Sequence, residues 1–152
     1  MRMNRLALTA AGIAGAAALL AVPAQANAAQ TTTTGTTVTC GASGLQAGKS
    51  TQLCAEVTGD SVRLFGRISL AGPPTPGSEP QTVDLLTSIS GQVVGGASLG
   101  TASGQTRFTA STVEVPGVSG TVPCGSTVHG SFSVATFPWS PVPVTVDVVV
   151  PC

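Results

Sequence analysis

The chain predicts an all-β protein, a small β-sandwich of about seven or eight short strands. From Val38 onward valine and threonine dominate, and no apolar repeat of helical period persists. Short runs in which apolar and polar residues alternate follow one another, as half-buried strands require. Between them stand glycine and proline clusters, drawn from 19 Gly and 11 Pro, that have the chemistry of turns.

The first segment is not part of that pattern. Met1-Arg2-Met3-Asn4-Arg5 is followed by an apolar stretch from Leu6 to Val22 and then by Pro23-Ala24-Gln25-Ala26-Asn27-Ala28. A basic start, an apolar middle and small residues at alternate positions are the order of a cleavable secretory signal, with cleavage after Ala26 or Ala28. A permanent anchor is the competing reading. The stretch is short for a membrane span, and Thr9, Gly12 and Gly15 dilute it. The expected organisation is a signal peptide over 1–28, a flexible threonine-rich lead over 29–37, and one sandwich domain over 38–152.

The expected mature chain has four basic residues, Lys49, Arg63, Arg67 and Arg107, against the acids Glu56, Asp60, Glu79, Asp84, Glu114 and Asp147. Four scattered cations do not neutralise a run of phosphates, so nucleic acid is excluded as a partner. They also form no polybasic patch for an anionic membrane, and no stable membrane insertion is expected once the signal is removed. Cys40, Cys54, Cys124 and Cys152 all lie beyond the signal. An even count in that context reads as two disulfides formed in an oxidising, extracellular or cell-wall compartment. Metal binding is the alternative. The cysteine spacings are long, no Cys-x-x-Cys occurs, and His129 is the single histidine, so no metal site and no cofactor are expected.

The strands are read from parity. Ser50 to Val57 sets Leu53, Ala55 and Val57 on one face. Ser61 to Leu70 sets Val62, Leu64, Ile68 and Leu70 on one face, with Arg63, Phe65 and Arg67 on the other. Thr82 to Ile89 buries Val83, Leu85 and Ile89. Gln105 to Val115 changes parity between Ala110 and Val113, which predicts a bulge near Thr112. Thr127 to Phe137 buries Val128, Phe132 and Val134, and Val142 to Val150 aligns five valines at even spacing. Gly91, Gly95-Gly96, Gly104 and Pro116-Gly117 are read as separators.

One window resembles something known. Cys40 to Thr58, CGASGLQAGKSTQLCAEVT, is similar to the opening of bacterial immunoglobulin-like domains of secreted and cell-surface proteins, through Cys40, Gly48, Ser50, Thr51 and Cys54. It also resembles part of the antitumour-antibiotic chromoproteins, enediyne-binding apoproteins of actinobacteria with an immunoglobulin-like sandwich. The later cysteines depart from the chromoprotein spacing. The resemblance implies an immunoglobulin-like sandwich. Within it Cys40 ends one strand and Cys54 sits in the next, so Cys40–Cys54 and Cys124–Cys152 are the preferred pairs, with the other two connectivities open.

Candidate chemistry is sparse. His129 lies on the polar parity of its strand, and a Ser-His-Asp triad would need an acid such as Asp147 and a serine to converge. No catalytic residue is assigned and no enzyme is expected. Two surfaces are candidates for binding. One is Phe137-Pro138-Trp139-Ser140-Pro141-Val142-Pro143, an extended proline-held segment in which Trp139 serves either as a recognition anchor or as a cap on the core. The scarcity of large side chains favours the cap. The other is Arg63, Phe65 and Arg67, either a binding patch or a covered ring with arginines around it. The function expected is that of a non-catalytic secreted sandwich acting through its surface on an unidentified protein or envelope partner. The alternatives are a carrier of small apolar ligands of the chromoprotein type, and a protease inhibitor presenting Gly72 to Pro80 or Phe137 to Pro143.

Overall fold

The structure is a computed structural model that describes residues 30–33, 35–74, 76–77, 82–109, 111–137 and 140–152. The signal-like segment 1–28, Thr75 and residues 78–80 of the Gly72 to Pro80 loop, Ala110, and Pro138 and Trp139 lie outside them.

The described residues form ten strands and no helix. These are β1 (Gln30–Thr33), β2 (Thr36–Cys40), β3 (Gly44–Gln46), β4 (Lys49–Thr58), β5 (Ser61–Leu70), β6 (Val83–Val93), β7 (Ser98–Phe108), β8 (Val113–Thr121), β9 (Thr127–Ala135) and β10 (Val144–Val149). All pairings are antiparallel, and they make two sheets. The first has the order β1-β2-β4-β5-β8, with β3 paired to β4. The second has the order β10-β9-β6-β7. The two sheets face each other as a sandwich.

The parity pattern explains the core. Leu53, Ala55, Val57, Val62, Leu64 and Ile68 point from the first sheet into the same space as Leu85, Ile89, Val128, Phe132, Val134, Val146 and Val148 from the second. Phe132 is fully buried, and Gly66 makes room for it: a Cβ on Gly66 would stand 2.5 Å from the ring. Of the five aligned valines, Val144, Val146, Val148 and Val150 are buried, whereas Val142 precedes β10 and is exposed.

The disulfides are Cys40–Cys54 and Cys124–Cys152. Cys40 and Cys54 are direct partners in the β2–β4 register. Cys124 lies in the turn between β8 and β9, and Cys152 follows β10.

Three local expectations change. The first strands begin inside the threonine-rich lead, because Gln30–Thr33 pairs residue for residue with Thr36–Thr39 across a turn at Gly35. The bulge expected near Thr112 is a break between strands: Gln105 belongs to the end of β7, Val113 opens β8, and the change of parity is a change of sheet. Gly91, Gly104 and Pro116-Gly117 do not separate strands but lie inside β6, β7 and β8. Pro116 sits where the β5–β8 register shifts, between Arg63 and Phe65, which is where a strand tolerates a residue without an N–H.

Candidate functional site

The strongest concentration of exposed apolar side chains lies at one end of the sandwich. There the chain turns from β3 into β4, leaves β9, and approaches β10. The β3–β4 turn is the two-residue Ala47-Gly48, with φ of 48° and 69°, between the partners Gln46 and Lys49. Positive φ at both positions matches the right-handed twist of a tight hairpin. The turn places Leu45, 74% exposed, on the surface. Across from it, Val142 is 79% exposed, and Phe137, which follows Thr136 in the chain, is 95% exposed. Between Leu45 and Val142 lies a hollow of about 420 Å³, lined by the Leu45–Gly48 turn, Val134–Thr136 and Ser140–Val142. Ala135 and Pro141 also line a shallower hollow of about 510 Å³ on the outer face of the second sheet, with Leu86, Ser88, Ser103 and Ser133. The concave surface is therefore continuous from Leu45 around Pro141 to Leu86.

The floor is fixed by Gln46, which is 3% exposed. Its Nε2 donates to Thr51 Oγ1 at 2.8 Å and to the Phe132 carbonyl at 3.2 Å, and its Oε1 accepts from the Val134 N–H at 2.9 Å. Phe132 is the last β9 residue with a β10 partner, Val144. Beyond it the Gln46 amide stands in for a peptide group of the missing strand, and the buried backbone groups stay paired.

The Arg63, Phe65 and Arg67 set lies elsewhere, on the outer face of the first sheet. Phe65 is 2% exposed and packs with Cys40, Cys54 and Val38 in a second small apolar cluster. The guanidinium carbons of Arg63 and Arg67 stand 5.0 and 5.2 Å from its ring centroid. Arg63 also bridges Glu56 at 3.4 Å and Glu114 at 3.3 Å. The ring is covered by the disulfide and the arginines, and its charged neighbours neutralise one another. It presents no open aromatic face.

His129 and Asp147 are cross-strand partners on β9 and β10, and His129 Nδ1 donates to Asp147 Oδ1 at 2.8 Å. Both are partly exposed on the outer face of the second sheet, and among the described residues no serine hydroxyl bonds to the imidazole. Among the described residues the pair has no third member that would complete a triad. No group of three or more potential metal ligands occurs among the described residues.

One further hollow, of about 450 Å³, opens at the lateral edge between Thr37, Thr39 and Val57 of the first sheet and Asp147, Val148, Val149 and Pro151 of the second. Gln46 and this hollow were not singled out from sequence. A glutamine in a short polar loop gives no sign that its amide will be buried 86 residues from its partner.

The chain matches no protein-family model, no curated protein and no solved structure.

Proposed function

We propose that the protein is a non-catalytic, exported binding module of immunoglobulin-like build that engages a protein or cell-envelope partner through the end of the sandwich around Leu45, Phe137 and Val142. The carrying observation is the 420 Å³ hollow lined by the exposed Leu45 and Val142, with Phe137, 95% exposed, next in the chain to the lining Thr136. An isolated exposed apolar residue needs no explanation, but two that line one concavity and a third adjoining it in the chain, on a frame held by the Gln46 amide, form the kind of patch that partners cover. The segment is bounded by Pro141 and Pro143, so little backbone freedom is lost on binding.

Strand order supports the immunoglobulin-like part. In β4 to β10 the sheets read β4-β5-β8 and β10-β9-β6-β7, which corresponds to A-B-E and G-F-C-C′ of that architecture. The signal-like N-terminus and two disulfides support export. The lone His129–Asp147 pair supports a non-catalytic role.

The test compares the protein with a Phe137→Ser/Val142→Ser variant as baits against culture supernatant and cell-wall extract. A partner retained by the first and lost by the second is expected, with disulfides and circular dichroism unchanged. Identical recoveries from both baits would sink the proposal. The carrier reading draws on the lateral hollow beside Val148. It predicts saturable uptake of an apolar fluorescent probe that a Thr37→Trp substitution blocks.

A further inference from the structure

Among the described residues the sandwich has five strands with a free edge, β1, β8 and the three-residue β3 in one sheet and β7 and β10 in the other. Unpaired edges invite foreign strands, and proteins guard them. Strand β8 carries Pro116 and an irregular register against β5. Strand β10 is flanked by Pro143 and Pro151, and Gly41 packs so tightly on it that a Cβ there would overlap the Thr145 carbonyl. Strand β1 has only 4 residues. Strand β7 is the least guarded: its register against β6 shifts only near its start, at Gly91 and Gln92, where Leu99 is left out and Gly100 has a φ of 104°. It runs 11 residues, Ser98–Phe108, with no proline and one charge, Arg107. It pairs with β6 alone. Its middle also overhangs the opposite sheet. Gly104 has the inward parity, opposite the buried Thr87, yet it is exposed, and a Cβ built on it meets nothing within 4 Å.

We infer that β7 is a self-association edge, at which it pairs antiparallel with β7 of a second copy about a two-fold axis at Ser103. The strand's own length sets this register. Ser103 is its midpoint, and pairing about it keeps to the regular stretch, Gly100 opposite Thr106 of the second copy, short of the irregularity at Leu99. The charges permit it. Arg107 then faces Leu99 and never meets its own copy, and it is already paired with Asp84 at 3.2 Å. The side chains at the axis are small, Ala102, Ser103 and Gly104, and the overhang sets the opposite sheet back from the approaching strand. A second copy fits better than a foreign strand because the contact is isologous. Each β7 satisfies the other, both edges are consumed, and growth stops at two. The product is a continuous sheet of order β10-β9-β6-β7-β7-β6-β9-β10.

Sedimentation velocity of the disulfide-intact protein over a concentration series reads the association directly, and a monomer–dimer equilibrium is expected. Ser103→Lys sets two like charges opposite each other across the axis, and it should weaken the dimer by about tenfold or more. Ser103→Glu should do the same, and mixing the two variants should restore a dimer through the opposite charges. Ser103 is exposed, so both variants should keep their circular dichroism and disulfides. A protein that stays monomeric up to millimolar concentration overturns the inference. So does a dimer indifferent to both substitutions, or one that both abolish without recovery on mixing.

Discussion

The Gln46 side chain supplies two hydrogen bonds to β9 that the backbone of β10 does not reach. Replacing it with leucine keeps the volume but removes the partner of the Val134 N–H and one hydrogen bond to the Phe132 carbonyl. Each buried unpaired group costs ~1–3 kcal/mol. Gln46→Leu should therefore lower stability by about 2 kcal/mol or more in urea denaturation, whereas a loss below about 0.5 kcal/mol would mean that water replaces the amide. Next to it, Ala47 sits at φ 48°. A left-handed conformation costs an ordinary L-residue ~1–2 kcal/mol, and asparagine adopts it more readily. Ala47→Asn is expected to raise the melting temperature without altering the hollow's shape, and an unchanged or lowered value refutes the turn assignment. The sequence carries a turn glycine here, Gly48. It did not show the burial, because the partners lie on strands far along the chain. Phe65 is a similar case. Alternation placed it correctly on the outer face, but period two cannot report that a disulfide one strand away covers that face.

At the scale of elements, the two disulfides differ in what they secure. Cys124–Cys152 spans 28 residues and Cys40–Cys54 spans 14. Loop closure alone makes each worth ~3 kcal/mol and favours the longer loop by only about 0.6 kcal/mol. Packing points the other way. Cys40 and Cys54 are buried against Phe65, whereas Cys124 and Cys152 are exposed. The Cys40→Ala/Cys54→Ala pair should therefore cost more stability than Cys124→Ala/Cys152→Ala, despite its shorter loop. Equal costs, measured by the shift in urea midpoint, would show that the Phe65 cluster adds nothing. The strands with alternating aliphatic residues, β4, β5, β9 and β10, were legible from sequence to within a residue or two. Strand β7 was not, since Ser98 to Gly104 has Leu99 as its one large apolar residue and no apolar face. It forms because ten of its residues pair with Val83 to Gln92 of β6. Strand β8 was hidden by Pro116-Gly117, a turn dipeptide that an edge strand with a bulge accepts.

At the scale of the whole molecule, most of the pairing joins segments distant in the chain. Strand β5 finds β8, β6 finds β9, and each link between sheets closes a loop before any contact rewards it. With disulfides intact, refolding monitored by circular dichroism should take milliseconds to seconds, as in other sandwiches of non-local topology. A microsecond refolding phase carrying the full amplitude would contradict that order of assembly. The two-layer architecture was readable because parity alone divides inside from outside. The division of strands between the sheets was not, because parity does not say which sheet a strand joins. One consequence follows from the small cluster outside the first sheet. Strands β4 and β5 are covered on the inner side by the core, on the outer side by Phe65 and its disulfide, and laterally by β2 and β8. In heavy water, the amides of Leu53, Cys54, Ala55, Leu64 and Phe65 should be the last to take up deuterium, exchanging only when the whole domain opens, whereas those of the β6–β7 hairpin should exchange through partial openings that leave this central pair intact.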